Sequence, residues 1–187
     1  MKQNRRRGLF AGFGAGARRL QPIMFLMLFV LAFQAGFAQE ELPEGVVPPP
    51  LSEVSEEESD SLEMQRSTKG RTKLALEFME SRLLQSATAA DKQDFDESLA
   101  QLGPFRALML KTEKHLDYNS YKKSTAKEYK RFEKALRIYI RKLELIRREL
   151  PFSHGYHVSE LIKTTREVRE KSIDTFFGDT VIPDGRL

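Results

Sequence analysis

Seven apolar residues between Tyr129 and Leu150 follow one another at spacings of 3, 4, 3, 4, 3 and 4. Tyr129, Phe132, Leu136, Tyr139, Leu143, Ile146 and Leu150 therefore share one side of an α-helix, a pattern no strand can use. Ahead of them, Thr125-Ala126-Lys127-Glu128 has the order of a capping box, with Thr125 as N-cap and Glu128 reaching back to its amide. Pro151 ends the segment. Ile138, Ile140 and Leu145 lie beside the seam and widen the apolar face, which calls for more than one neighbouring helix. Tyr129, Phe132 and Tyr139 read as core residues rather than as a stacking platform.

Helical signals fill the rest of this half of the chain. A first helix is expected from about Gly70 to Ala87, with Leu74, Leu76, Phe78, Met79 and Leu83 as its apolar positions. Asp91 is the expected N-cap of a second helix carrying Phe95, Leu99, Leu102, Phe105, Leu108 or Met109, and Leu116. Gly103-Pro104 should kink or break it, because Pro104 removes a backbone donor and its ring crowds the preceding turn. The seam helix is then the third. A fourth is expected from His157 to Phe177, with Gly178 at its C-terminal cap. The fold class expected is all-α: an antiparallel up-down bundle of about four helices over residues 70–178, followed by a tail at 179–187.

The first 38 residues are of another kind. They hold six basic residues and no acidic one, an apolar core from Ile23 to Phe33, and a small-residue exit at Gly36-Phe37-Ala38. That order reads as a secretory signal peptide cut between Ala38 and Gln39. The apolar core is shorter than the roughly 20 residues a bilayer span requires. The expected location is therefore periplasmic or secreted. Retained uncleaved, the segment would anchor the chain in an inner membrane with the body still outside, since the arginines before it favour the cytoplasmic side. Arg6-Arg7-Gly8-Leu9-Phe10 also resembles a twin-arginine export signal.

Charge is divided along the chain. Residues 39–66 hold nine acidic residues and one basic residue, Arg66, for a net −8; residues 67–187 hold 24 basic and 18 acidic residues, for +6. With Pro43, Pro48-Pro49-Pro50 and few aromatics, residues 39–69 read as a disordered acidic linker. The alternative has Glu56-Glu57-Glu58 and their neighbours folding back on the basic body as a mask. The absence of cysteine excludes disulfides and covalently attached haem.

The residues most suggestive of function form one row. Lys123, Lys127, Lys130, Lys134, Arg137, Arg141 and Arg148 fall opposite the apolar seam, with Glu144 the acid among them. Such a row suits an envelope protein or an anionic surface such as lipid headgroups or an acidic polymer. Nucleic acid is not an expected partner, because export removes it and the aromatics face the seam. A homo-oligomer through Ile138, Ile140 and Leu145 is the other interaction expected. His154, His157 and Glu160 have helical metal-ligand spacing but no further donors, and no residue pair stands out as haem ligands, so no metal or cofactor is expected; a metal- or haem-binding periplasmic bundle is the remaining alternative to the two interaction readings. Asp91, Asp94, Asp96 and Glu97 read as capping acids rather than a calcium loop. Residues 67–187 contain no phosphate loop, nucleophile elbow or nucleophile–base pair, so the chain is not expected to be an enzyme. The expected function is that of an exported, non-catalytic helical-bundle protein.

Overall fold

The computed structural model describes residues 42–178, among which five helices and no strand occur. The expected signal segment, its Ala38–Gln39 cleavage point and the tail at 179–187 lie outside the described residues. The helices are α1 (Glu56–Met64), α2 (Thr68–Asp91), α3 (Phe95–Tyr118), α4 (Thr125–Glu149) and α5 (Phe152–Gly178). The helix expected third is thus α4.

The heptad seam of α4 forms the centre of the core. Tyr129, Phe132, Leu136, Tyr139, Leu143, Ile146 and Leu150 are all buried, against Met79 and Leu83 of α2, Phe105, Leu108 and Met109 of α3, and Val158 and Ile162 of α5. The Tyr139 hydroxyl donates to the carbonyl of Leu76 at 2.9 Å, and its ring meets Phe105 edge-on. In α2 the buried row is Thr72, Ala75, Met79, Leu83, Ser86 and Ala90. Leu74, Leu76 and Phe78, which looked like core positions, are only half-buried at the margin. The small residues let α3 approach closely, and the buried hydroxyls of Ser86 and Ser98 satisfy each other at 3.0 Å.

α2 and α3 form one antiparallel hairpin and α4 and α5 another. The ring closes differently from a simple up-down bundle, in which α3 would lie against α4. These two helices meet only across the diagonal of the core, through side chains such as Tyr139 and Phe105; α2 lies beside α4 and α3 beside α5. Both of these pairs run parallel. Thr68 and Glu128 line one cleft, Leu76 meets Tyr139 and Leu84 lies beside Leu145, while Asp96 meets His154 and Asp117 meets Lys171. The loop from Asn119 to Ser124 therefore crosses the bundle diagonal. It is held by the Thr125 hydroxyl on the Asn119 carbonyl (2.8 Å) and by the Tyr129 hydroxyl on Asp117 (2.6 Å).

Three boundaries differ from expectation, each for a local reason. Asp91 is the last residue of α2, and Asp94 caps α3 by accepting from the Glu97 amide at 3.2 Å. Gln93, with φ of +61°, makes the turn between them. Of the kink or break expected at Gly103-Pro104, the break does not occur: α3 runs through Pro104, with Leu102, Phe105 and Leu108 buried on both sides of the proline. Packing outweighs one missing backbone donor. The capping box at Thr125 does not form: Ser124 holds the N-cap position without a side-chain bond, the Thr125 hydroxyl is engaged by Asn119, and Glu128 pairs with Arg131. α5 begins at Phe152 instead of His157, its first turn closed by the Gly155 amide on the Pro151 carbonyl at 2.8 Å.

The described part of the expected disordered linker is a strap packed on the bundle. Ser55 caps α1, accepting from the Glu58 amide at 3.3 Å, and three glutamates occupy the first turn, where the helix dipole favours them. Leu62 is 2% exposed and lies among Ala75 and residues of α3, while Val47 and Val54 dock at the core's edge. Arg82 of α2 binds the Glu58 carboxylate through Nε (3.1 Å) and a terminal nitrogen (3.0 Å), and Lys111 of α3 reaches Ser59 at 2.7 Å. Composition misjudged this segment because burying Leu62 and pairing Glu58 require surfaces made by distant residues.

Candidate functional site

Each cation of the expected row is exposed: Lys123, Lys127, Lys130, Lys134, Arg137, Arg141 and Arg148. The seam of α4 is buried between α2 and α5, so the opposite side of the helix faces outward by geometry alone. From Lys127 to Arg148 the row spans roughly 32 Å at 1.5 Å per residue. Lys123, Lys127, Lys134, Arg137, Arg141 and Arg148 make no ion pair with another described residue. Glu144, the acid among them, is engaged by Arg166 of α5 at 2.7 Å, which removes its charge as a counterweight. Glu133 is likewise paired with Arg169. The result is a face of one sign whose field extends about 8–10 Å into physiological salt.

The acidic strap folds back, yet not onto this face. Its carboxylates and hydroxyls meet Arg82, Arg106 and Lys111, on α2 and α3. Lys123, Lys127, Lys134, Arg137, Arg141 and Arg148 are not met by the described part of the strap.

Apolar surface accompanies the row. Ile138 is 53% and Leu145 60% exposed, and Leu84 of α2 is 68% exposed. Leu84, Ala87, Leu145 and Ile146 border a groove of about 330 Å³ between the C-terminal halves of α2 and α4. Ile140, grouped with Ile138 and Leu145 in the sequence, is half-buried against the core instead.

No protein family, curated protein or solved structure matches this chain. The reading of the site therefore rests on its own chemistry.

The histidines serve contacts within the fold. His154 places one ring nitrogen 2.9 Å from Asp96 and the other 2.9 Å from Ser153, joining α5 to α3. His157 points its Nε2 at the Val47 carbonyl, 2.6 Å away, and so holds the strap. Their rings are engaged by different partners, and among the described residues no group of three or more such side chains is placed to hold a metal. His115, half-buried near the end of α3, has its pKa lowered first by burial and then by the charges of Arg71 and Lys122. Asp117 is held below the usual carboxylate range by hydrogen bonds from Lys171 and Tyr129, against the opposing effect of burial.

The feature sequence reading missed is a cleft at the other end of α4. Arg66, Lys69, Lys122, Lys127 and Arg131 border about 540 Å³ between the N-termini of α2 and α4. Of these five, Lys127 alone belongs to the row opposite the seam. Ser55-Glu56-Glu57-Glu58, a capping-box sequence, was the signal for the strap helix that brings Arg66 there.

Proposed function

We propose that this chain is an exported, non-catalytic bundle of the cell envelope that binds an acidic protein or an anionic envelope surface through the outer face of α4. The observation that carries this reading is the set of six exposed cations without ionic partners on one side of a helix, left open by an acidic strap that pairs elsewhere. A cation row of this length accelerates encounter with an oppositely charged partner and weakens as salt rises. Replacement of Arg137 by a photoreactive residue should yield one dominant crosslinked protein or lipid in cells. The double substitution Arg137→Glu/Arg141→Glu should abolish its capture; capture that persists unchanged overturns the reading.

A second reading is favoured by a separate observation, the exposed Ile138, Leu145 and Leu84 beside an apolar groove. Two copies meeting there would cover apolar surface that a monomer leaves in water. A strictly monomeric mass by light scattering at high concentration rules this out.

A further inference from the structure

The parallel arrangement of α2 and α4 brings two helix N-termini to the same end of the bundle. Between them five cations converge from four stretches of chain: Arg66 before α2, Lys69 in its first turn, Lys122 in the diagonal loop, and Lys127 and Arg131 on α4. The one acid at this cleft, Glu128, is buried and bonded to Arg131. Five cations against one carboxylate leave a net +4. Arg66, Lys69 and Lys127 are exposed and make no ion pair with another described residue, while Lys122 rests on Asn119 and the ring of Tyr121.

The backbone adds to this charge. Helix N-termini carry partial positive charge and unsatisfied amides. At α2 the Ser67 hydroxyl answers one of them, the Gly70 amide, at 3.0 Å. At α4 no side chain caps the first turn, because the Thr125 hydroxyl is engaged by Asn119 and Glu128 by Arg131. Arg71 and Lys122 also disfavour the proton on nearby His115, as expected where positive potential reaches inward.

We propose that this cleft is a binding site for a ligand bearing two adjacent phosphoryl groups. A diphosphate ester carries about three negative charges and free pyrophosphate up to about four, so either comes close to compensating the lining. Arg66 and Arg131 supply planar forks for phosphate oxygens, Lys69, Lys122 and Lys127 supply point charges, and the first turn of α4 offers backbone donors. The cavity has room for more than one phosphoryl group. A singly charged carboxylate would leave most of the lining uncompensated. The ligand is either a soluble diphosphate or a lipid headgroup of the same chemistry. The site goes beyond the role proposed for the α4 row: it shares Lys127 with that row and requires no particular cellular location.

The test is calorimetric titration of the full chain with inorganic pyrophosphate and with orthophosphate, alongside co-sedimentation with phosphatidylcholine vesicles with or without a lipid diphosphate. Pyrophosphate should saturate at one per chain and bind about tenfold more tightly than orthophosphate. Lys69→Glu and Lys127→Glu should each weaken it by about tenfold or more with helix content unchanged, whereas Arg141→Glu/Arg148→Glu should leave it within about twofold. Binding of pyrophosphate in solution assigns a soluble ligand. Sedimentation with lipid-diphosphate vesicles that is lost in Lys69→Glu, without pyrophosphate binding, assigns a headgroup. Absence of both, or equal weakening by the distal pair, overturns the site. Loss of partner capture in Arg137→Glu/Arg141→Glu with pyrophosphate binding intact separates this site from the α4 row.

Discussion

The carbonyl of Leu51 lies against the backbone of Gly103, so close that a β-carbon on that glycine would stand 2.0 Å from its oxygen. The same β-carbon would come within 2.8 Å of the Leu51 carbonyl carbon and 3.3 Å of Pro50. Gly103 is therefore the point at which the strap seats on α3, and a backbone atom cannot yield as a flexible side chain would.

Gly103→Ala should lift the strap. The clash costs about 1–3 kcal/mol, against a gain of about 1 kcal/mol in helix propensity. The expected outcome is faster hydrogen exchange and proteolysis at residues 43–55, with α2–α5 still protected. Unchanged protection would mean that the strap shifts without penalty.

Leu62→Ala should destabilise the protein by about 2–4 kcal/mol in chemical denaturation, the range for a fully buried leucine. Met64→Ala, two residues away but 77% exposed, should change stability by less than about 0.5 kcal/mol. Equal effects would show that α1 contributes nothing through its packing.

Tyr139→Phe should cost about 1 kcal/mol, the loss of one hydrogen bond to the Leu76 carbonyl while the edge-on contact with Phe105 persists. Tyr139→Ala should cost about 3–5 kcal/mol, because a cavity then opens between α2, α3 and α4. A Phe variant as unstable as the Ala variant would place the stability of this contact in the hydroxyl.

Acid should act on the fold in two stages. His115 has a folded pKa below its ordinary 6.5, so the unfolded chain takes up its proton first; stability is present above 6.5 and falls as pH drops through the folded value. Asp117 is also depressed, so its contribution is present above its ordinary 3.8 and is lost below it. His115→Gln should flatten the first stage alone, read as unfolding free energy against pH, and Asp117→Asn the second. In alkali the order reverses. Tyr129 and Tyr139 have raised pKa values, chiefly through burial, so stability is present below 10 and falls as pH climbs towards the folded values.

The α4 helix was legible because its information is local. A period of three and four residues fixes which side is buried whatever the neighbours are, so the buried seam and the outward cations both follow from spacing. Glu144 shows where this stops: its carboxylate sits in the row, but its partner Arg166 is 22 residues away on α5. The docking of the strap was illegible for the same reason, although Ser55-Glu56-Glu57-Glu58 signalled its helix. An acidic, proline-containing stretch lacks the apolar content to fold by itself, and the surfaces that order it are built by Ala75, Arg82, Gly103 and Lys111.

The sequence by itself determined the helical class, the buried face of α4 and the sign of its exposed face, since periodicity and charge are properties of neighbours along the chain. The tertiary structure decided the ring order. Short loops are compatible with either a sequential or a diagonal path, and only side-chain fit selects α2 and α5 as the neighbours of α4. That choice makes α2 and α4 parallel, places their N-termini side by side, and gathers Arg66, Lys69, Lys122, Lys127 and Arg131 into one cleft. Along the sequence Arg66 and Arg131 are 65 residues apart, and no local rule connects them.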